Sequence, residues 1–456
     1  MTHVTSTTES LAPVRVRIFG FLAWSAGSQL LLILATWRLW FPDSADLFLG
    51  SNTGPVDGSF PKIGLLELAG SVPVGLDLSL AILWVTSLLG QAVSAGYLCC
   101  RGREPALGSD RFVRALFWSL IISVLAWLGL VMVNQHRLQA WAYLAMWIQV
   151  LYLVDLVSTR TSARLDTRAL PRWRWLVLSV YFYSAISKFD LTFLRTLGSQ
   201  FLTTAWNGMS GANLELETVW PMWMTLLFPV GELIVAVGLA SGWARRWFAL
   251  LAMILHVGLL WLLGPWGMQH QAGVLLWNVF FIGQVGFLFW PVRVPENDAD
   301  QGESWFAKLA LYFVLLIPLG QNWGWCDSWL AWELYAPRGS RIQVFVADPA
   351  FEALPELQGY IKRESTAEFG PIWRELQIDQ WSLDQVRAPI YPQDRFQLGV
   401  ALAVVERVAE PEQVFVRWLG PADRWSGQRE QLVLRSQAEI EQFGRRYFWN
   451  FRATKK

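Results

Sequence analysis

Apolar positions come in long unbroken runs through the first 320 residues of the chain and in short alternating ones after that. An α-helix needs about 20 residues to cross the hydrocarbon core of a bilayer. Nine runs come near that length, at 18–40, 72–98, 112–134, 138–158, 174–190, 221–241, 246–264, 272–290 and 306–320. The fifth is the shortest in apolar content, from Trp175 to Phe189, and closes on Lys188 and Asp190. Residues 191–206 (LTFLRTLGSQFLTTAW) are amphipathic and suit an interfacial or re-entrant helix. Beyond 320 the pattern shortens. Arg341–Ala347 and Gln413–Trp418 alternate as strands do, Phe396–Val408 is a further strand candidate, and Ser436–Phe448 suits a terminal helix. The expected fold is an all-α polytopic membrane bundle of about nine transmembrane helices with a small C-terminal α+β extramembrane domain. Its parts are a tail at 1–16, the bundle at 17–320 and the C-terminal domain at 321–456.

Charge adds orientation. Only 16% of the chain is charged and 54% is apolar. Of the charged residues, 38 fall in 1–320 and 35 in the much shorter 321–456. The net charge of +1 excludes a polybasic nucleic-acid binder. Loops on one side of the runs carry 14 arginines, among them Arg111, Arg114, Arg172, Arg174, Arg245 and Arg246. The opposite loops and span ends carry five basic residues: Arg38, Lys62, Arg137, Lys188 and Arg195. This bias puts the N-terminus in the cytoplasm and, with nine spans, the C-terminal domain outside the inner membrane. The first apolar run is too long for a cleaved leader. The 29 tryptophans suit membrane–water interfaces.

Ionisable residues at bilayer depth are costly and therefore functional candidates. Five stand out: Lys188 and His136 toward the outer side, Glu232 and His256 near mid-depth, and Asp77 in the outer third of its run. Each has a plainer alternative. Lys188 snorkels to the interface, His136 is an interfacial histidine, Glu232 and His256 bond one another between packed helices, and Asp77 makes a packing contact. Gly70, Gly231 and Gly238 suit close helix packing, and Asn278 suits an interhelical hydrogen bond. The three cysteines, Cys99, Cys100 and Cys326, form no CxxC pair, and no metal motif occurs. Haem ligation would need His256 and a partner at matching depth, and none is evident.

Three stretches carry a resemblance. They are Asn134–Asp155 (NQHRLQAWAYLAMWIQVLYLVD), Val180–Asp190 (VYFYSAISKFD) and Gly231–His256 (GELIVAVGLASGWARRWFALLAMILH). In that order they resemble the horizontally transferred transmembrane (HTTM) domain, the membrane part of vitamin K-dependent gamma-glutamyl carboxylase and its bacterial relatives. The likeness covers roughly residues 15–290. It implies a reduced quinone such as menaquinol as co-substrate and Lys188 as the base that deprotonates it. His136 would act at the ring oxygen, and His256, Glu232, Tyr181 and Tyr183 would line the cavity. The chain departs from the carboxylase in two places. Ser187 stands where the carboxylase has a second lysine, and Val257–Trp261 (VGLLW) replaces a polar run. The second functional class compatible with the chain is a lipid- or quinone-binding scaffold that presents its C-terminal domain to an envelope partner. The aromatic segment Trp323–Arg338 is the feature behind it. A transporter is disfavoured by the lack of repeated halves.

Overall fold

The computed structural model describes residues 4–41, 59–67, 73–101, 111–158, 162–291, 305–352, 354–365, 373–408 and 410–454. Gly70 lies outside them, as does 292–304 of the polar connector expected at 291–304. Among the described residues, the longer helices of the membrane-like part are α1 (Val4–Ala35), α2 (Val74–Arg101), α3 (Arg111–Val133), α4 (Ala140–Ser158), α5 (Ser162–Ser187), α6 (Leu197–Ser210), α7 (Leu227–Ser241), α8 (Arg245–Leu263), α9 (Ala272–Phe289) and α10 (Trp305–Leu316). Among the described residues, seven helical segments are long and apolar enough to cross a membrane: Pro13–Ala35, Gly75–Arg101, Arg111–Val133, Ala140–Val157, Met222–Ser241, Arg245–Leu263 and Ala272–Phe289. Two of the nine expected runs fall short of that standard. α5 is 26 residues long, but arginines and an aspartate crowd its first half. α10 has 12 residues and passes into a 3-10 turn at Ile317–Trp323, started by Pro318.

The chain forms two compact units. The first comprises Met1–Leu34, Ile82–Trp127 and Ala140–Ala336. In it α7 packs on α5 and α8, and α8 packs on α9. The α7–α8 approach is close at Gly238, where a Cβ would fall about 2.1 Å from the Phe248 ring. Gly231, also expected to be a packing glycine, has nothing within 4 Å of its would-be Cβ. Asp155 of α4 and Arg172 of α5 form a buried ion pair.

The second unit comprises Ala35–Ala81, Leu128–Gln139 and Pro337–Lys456. Its centre is a five-stranded antiparallel sheet of order β2-β3-β1-β4-β5, with β1 Arg341–Ala347, β2 Ile361–Ser365, β3 Trp373–Leu376, β4 Val414–Leu419 and β5 Gln431–Leu434. Phe345 and Phe415 are register partners on β1 and β4, and their rings stack with centroids 4.7 Å apart. The segment Phe396–Val408, expected as a strand, is instead helix for most of its length. It forms α12 (Asp394–Val405), following α11 (Ile378–Val386) and preceding α13 (Gln437–Gly444). All twelve residues of α12 are buried. A segment covered on every side has no polar face, so periodicity cannot separate strand from helix. The helix packs on β1 and β4. Gly399 is required there, because a Cβ would lie about 2.0 Å from the Phe451 carbonyl oxygen.

Candidate functional site

The site is built on the last two turns of α5. Tyr181, Ser184 and Lys188 are spaced by three and four residues, so helical geometry puts them on one face. Lys188 follows the helix immediately, and the Asp190 side chain turns away to cap the next turn, accepting from the Phe193 amide at 2.9 Å. The carboxylate nearest in sequence to Lys188 is thereby engaged with backbone.

Lys188 is 4% exposed and meets a different acid. Its Nζ lies 2.8 Å from each oxygen of Glu232 on α7 and donates to Ser184 Oγ at 2.6 Å. Ser184 in turn donates to Glu232 Oε2 at 3.1 Å. An ammonium has three protons to place, and Glu232 and Ser184 account for them. The expected Glu232–His256 bond is not made. Glu232 serves Lys188, and His256 belongs to a separate chain of bonds.

That chain begins at Tyr181, whose hydroxyl is 2.7 Å from His256 Nε2 on α8. His256 Nδ1 is 2.9 Å from Asn278 Oδ1 on α9. The Asn278 amide nitrogen donates to the Val274 carbonyl at 3.0 Å, which leaves its oxygen to accept. The assignment follows from the network: His256 carries its proton on Nδ1, and its Nε2 accepts from the Tyr181 hydroxyl. The imidazole stacks on Phe281 at 4.9 Å.

Both networks face one cavity of about 70 Å³. That is several times the ~15 Å³ a single water needs. Tyr181, Ser184, Lys188, Glu232, His256 and Asn278 supply its polar lining. Trp277, Phe281 and Tyr335 supply aromatic walls. One cation and one anion are paired, and the other lining groups are uncharged, so the cavity as a whole is close to neutral.

The remaining expected residues lie elsewhere. Tyr183 donates to the Leu315 carbonyl at 2.8 Å and is not part of the lining. His136 belongs to the second compact unit. It sits in a short turn, Gln135–Arg137, and is 1% exposed. Its Nε2 is 2.8 Å from the Pro389 carbonyl oxygen, and a carbonyl can only accept, so this nitrogen carries the proton. Burial lowers the His136 pKa to about 4, the Pro389 bond opposing that change and neighbouring Arg137 adding to it. Next to it, fully buried Arg137 forms an ion pair with Asp77 and donates to the Leu39 carbonyl at 3.0 Å and the Trp40 carbonyl at 3.3 Å.

Four lining residues carry no mark of a site in the sequence. Ser184 is an ordinary helix serine. Trp277, Phe281 and Tyr335 are aromatics in a chain with 29 Trp, 27 Phe and 10 Tyr. The i, i+3, i+7 spacing of Tyr181, Ser184 and Lys188 is the one available signal. Of the Trp323–Arg338 segment, Trp323 and Trp325 are exposed while Trp332 is fully buried, with Trp332 and Tyr335 at positive φ. No group of three or more metal-ligating side chains occurs among the described residues. Comparison with protein-family models, with curated proteins and with solved structures finds no match for the chain.

Proposed function

We propose that the chain is an HTTM-like integral membrane protein whose helical unit performs acid–base chemistry on a lipid-soluble ring hydroxyl of the quinol class. The observation that carries this reading is the meeting of two buried hydrogen-bond networks, Lys188–Glu232–Ser184 and Tyr181–His256–Asn278, on one cavity. An ionisable pair held inside an apolar bundle is expensive, and such pairs mark proton and substrate sites.

The lining fits a flat uncharged ring that bears oxygen. Trp277 and Phe281 offer faces for it, and the charge of Lys188 is already cancelled. A reduced quinone bound there supplies electrons and acidic hydroxyls. Lys188 and Glu232 act as one base, because both carboxylate oxygens lie 2.8 Å from Nζ. A proton accepted at the pair is shared between Nζ and the carboxylate, with Ser184 holding both. Tyr181 donates its hydroxyl proton to His256, which leaves the phenol oxygen to accept from a ring hydroxyl, and Asn278 keeps the imidazole in the tautomer that receives the phenolic proton. His136 is bonded to the Pro389 carbonyl and is given no step in this reading.

Placement in the inner membrane, with a cytoplasmic N-terminus and an exoplasmic C-terminal domain, belongs to the same proposal. Exposed Trp243 and Trp247 flank Arg245 and Arg246 where α7 turns into α8, and exposed Trp223 and Trp266 lie at the other ends of those helices. Two aromatic rows with arginines on one of them support that orientation. The test uses purified protein in nanodiscs, supplied with a reduced naphthoquinone, oxygen and bicarbonate, with mass spectrometry for the quinone epoxide. Epoxide that disappears in Lys188→Met is the expected result. Epoxide undiminished in that variant removes Lys188 from the chemistry. No epoxide from folded wild-type protein moves the reading to a quinone-binding scaffold.

A further inference from the structure

Buried hydrogen-bond donors in folded proteins nearly always find an acceptor. Two donors on this cavity do not. The indole Nε1 of Trp277 and the hydroxyl of Tyr335 are both shielded from solvent, and neither meets a hydrogen-bond partner among the described residues. Leaving such a group unpaired costs on the order of 1–3 kcal/mol, so the sequence holds both at an expense that packing alone does not require. A phenylalanine would fill the Tyr335 wall as well. The indole can only donate. Burial pushes the Tyr335 hydroxyl above the ordinary tyrosine range, which keeps its proton in place. Tyr335 is also held at φ +57, a left-handed conformation unfavourable for an aromatic residue.

We infer that Trp277 and Tyr335 are ligand-reading residues, donating hydrogen bonds to oxygen acceptors on a flat, uncharged guest in the cavity. The ligand class is an aromatic or conjugated ring bearing hydroxyl, carbonyl or ether oxygen. A bare hydrocarbon leaves both donors unpaired, and an anionic guest meets Glu232, whose charge Lys188 already balances. The inference rests on the cavity being the ligand site of the proposed function, and it adds to that reading the groups that select the guest. Lys188 and Glu232 act on protons; Trp277 and Tyr335 read the oxygens.

The experiment compares 1,4-naphthoquinone with naphthalene, the same rings without acceptors, by equilibrium binding to the full chain in nanodiscs with empty discs subtracted. Tyr335→Phe keeps its wall and removes the donor, Trp277→Phe removes the donor with part of the wall, and Leu259→Trp fills the cavity. Naphthoquinone is expected to saturate, to weaken about five- to tenfold in each donor variant, and to be lost in Leu259→Trp. Naphthalene is expected to bind more weakly and to be indifferent to both donor variants. Naphthoquinone binding that Leu259→Trp abolishes but neither donor variant changes overturns the inference and leaves the cavity as the ligand site. Absence of any saturable binding overturns both. If the donor variants fail to fold, the wild-type comparison still decides, because equal affinity for the two ring systems overturns the reading of oxygens.

Discussion

Two of the ion pairs buried among the described residues, one from each compact unit, are built differently. Arg137–Asp77, in the unit that holds the sheet, is sealed. Arg137 is 0% exposed, and its guanidinium also serves the carbonyls of Leu39 and Trp40. Lys188–Glu232, in the helical unit, opens on a cavity, and the Glu232 side chain keeps 15% of its surface. Both carry the desolvation cost of a buried charge. The first uses an arginine, whose planar fork saturates several acceptors and does not give up its proton. The second uses a lysine, a compact donor whose proton is transferable, beside a carboxylate that solvent or substrate reaches. A sealed pair organises backbone; the pair on the cavity is the one the proposed function uses to exchange protons.

The comparison breaks first at Arg137. Arg137→Met leaves buried Asp77 to the longer Lys62 contact at 3.4 Å and is expected to cost about 3 kcal/mol. Loss of monodisperse folded protein in fluorescence-detected gel filtration, with Arg137→Lys only partly recovering it, is the expected outcome. Wild-type thermal stability in Arg137→Met would show that the sealed pair organises nothing.

The neighbouring histidine sharpens the same side. In the fold His136 titrates near 4 against an ordinary 6.5. Between those values the unfolded chain binds a proton that the fold does not, so stability rises with pH across the window. It is full above about pH 7, falls as pH drops through 6.5 and levels off below 4. The total is roughly 3 kcal/mol, because each tenfold difference in proton affinity between the folded and unfolded chain is worth about 1.4 kcal/mol. His136→Gln can still donate to the Pro389 carbonyl and does not titrate. A flatter acid limb in its thermal-melt profile is expected; an unchanged limb assigns the pH dependence to other groups.

On the open side, Lys188→Met is expected to cost less, about 1–2 kcal/mol, because Glu232 faces a cavity that water enters. Adding Glu232→Gln recovers part of that loss. A Lys188→Met variant as damaged as Arg137→Met would erase the distinction between the two pairs. Smallest is Ser184→Ala, about 0.5–1.5 kcal/mol, with the larger effect on turnover in the epoxide assay. A variant altered only in stability makes Ser184 structural.

The helices of the membrane-like part were legible because each hydrophobic run is long and its ends carry charge. The two pairs were not. Lys188 and Glu232 are 44 residues apart and Arg137 and Asp77 are 60 apart, and only folding brings them together. Depth along the helices suggested Glu232 with His256, but rotation about the helix axis decides partners, and α7 turns Glu232 toward α5. The segment 396–405 misled for the opposite reason: complete burial leaves no polar stripe to count. Tyr181 and Lys188 were legible as candidates. Trp277 and Tyr335 were not, because nothing in a list of aromatics tells which one has a donor without a partner.

The sheet-bearing unit has a consequence for how the chain is made. Two of its segments far apart in sequence are joined through backbone: the Asn450 amide donates to the Leu65 carbonyl at 3.1 Å, and the Thr454 amide donates to the Lys62 carbonyl at 2.9 Å. Residues 62–65 leave the ribosome hundreds of residues before those partners exist. Closing so long a loop is entropically costly and slow. Until Asn450 and Thr454 emerge, the early segment must wait without them, within reach of chaperones and proteases. A chain cut short before Asn450 would lack that closure, giving the cell a physical means of telling such copies from those that carry it.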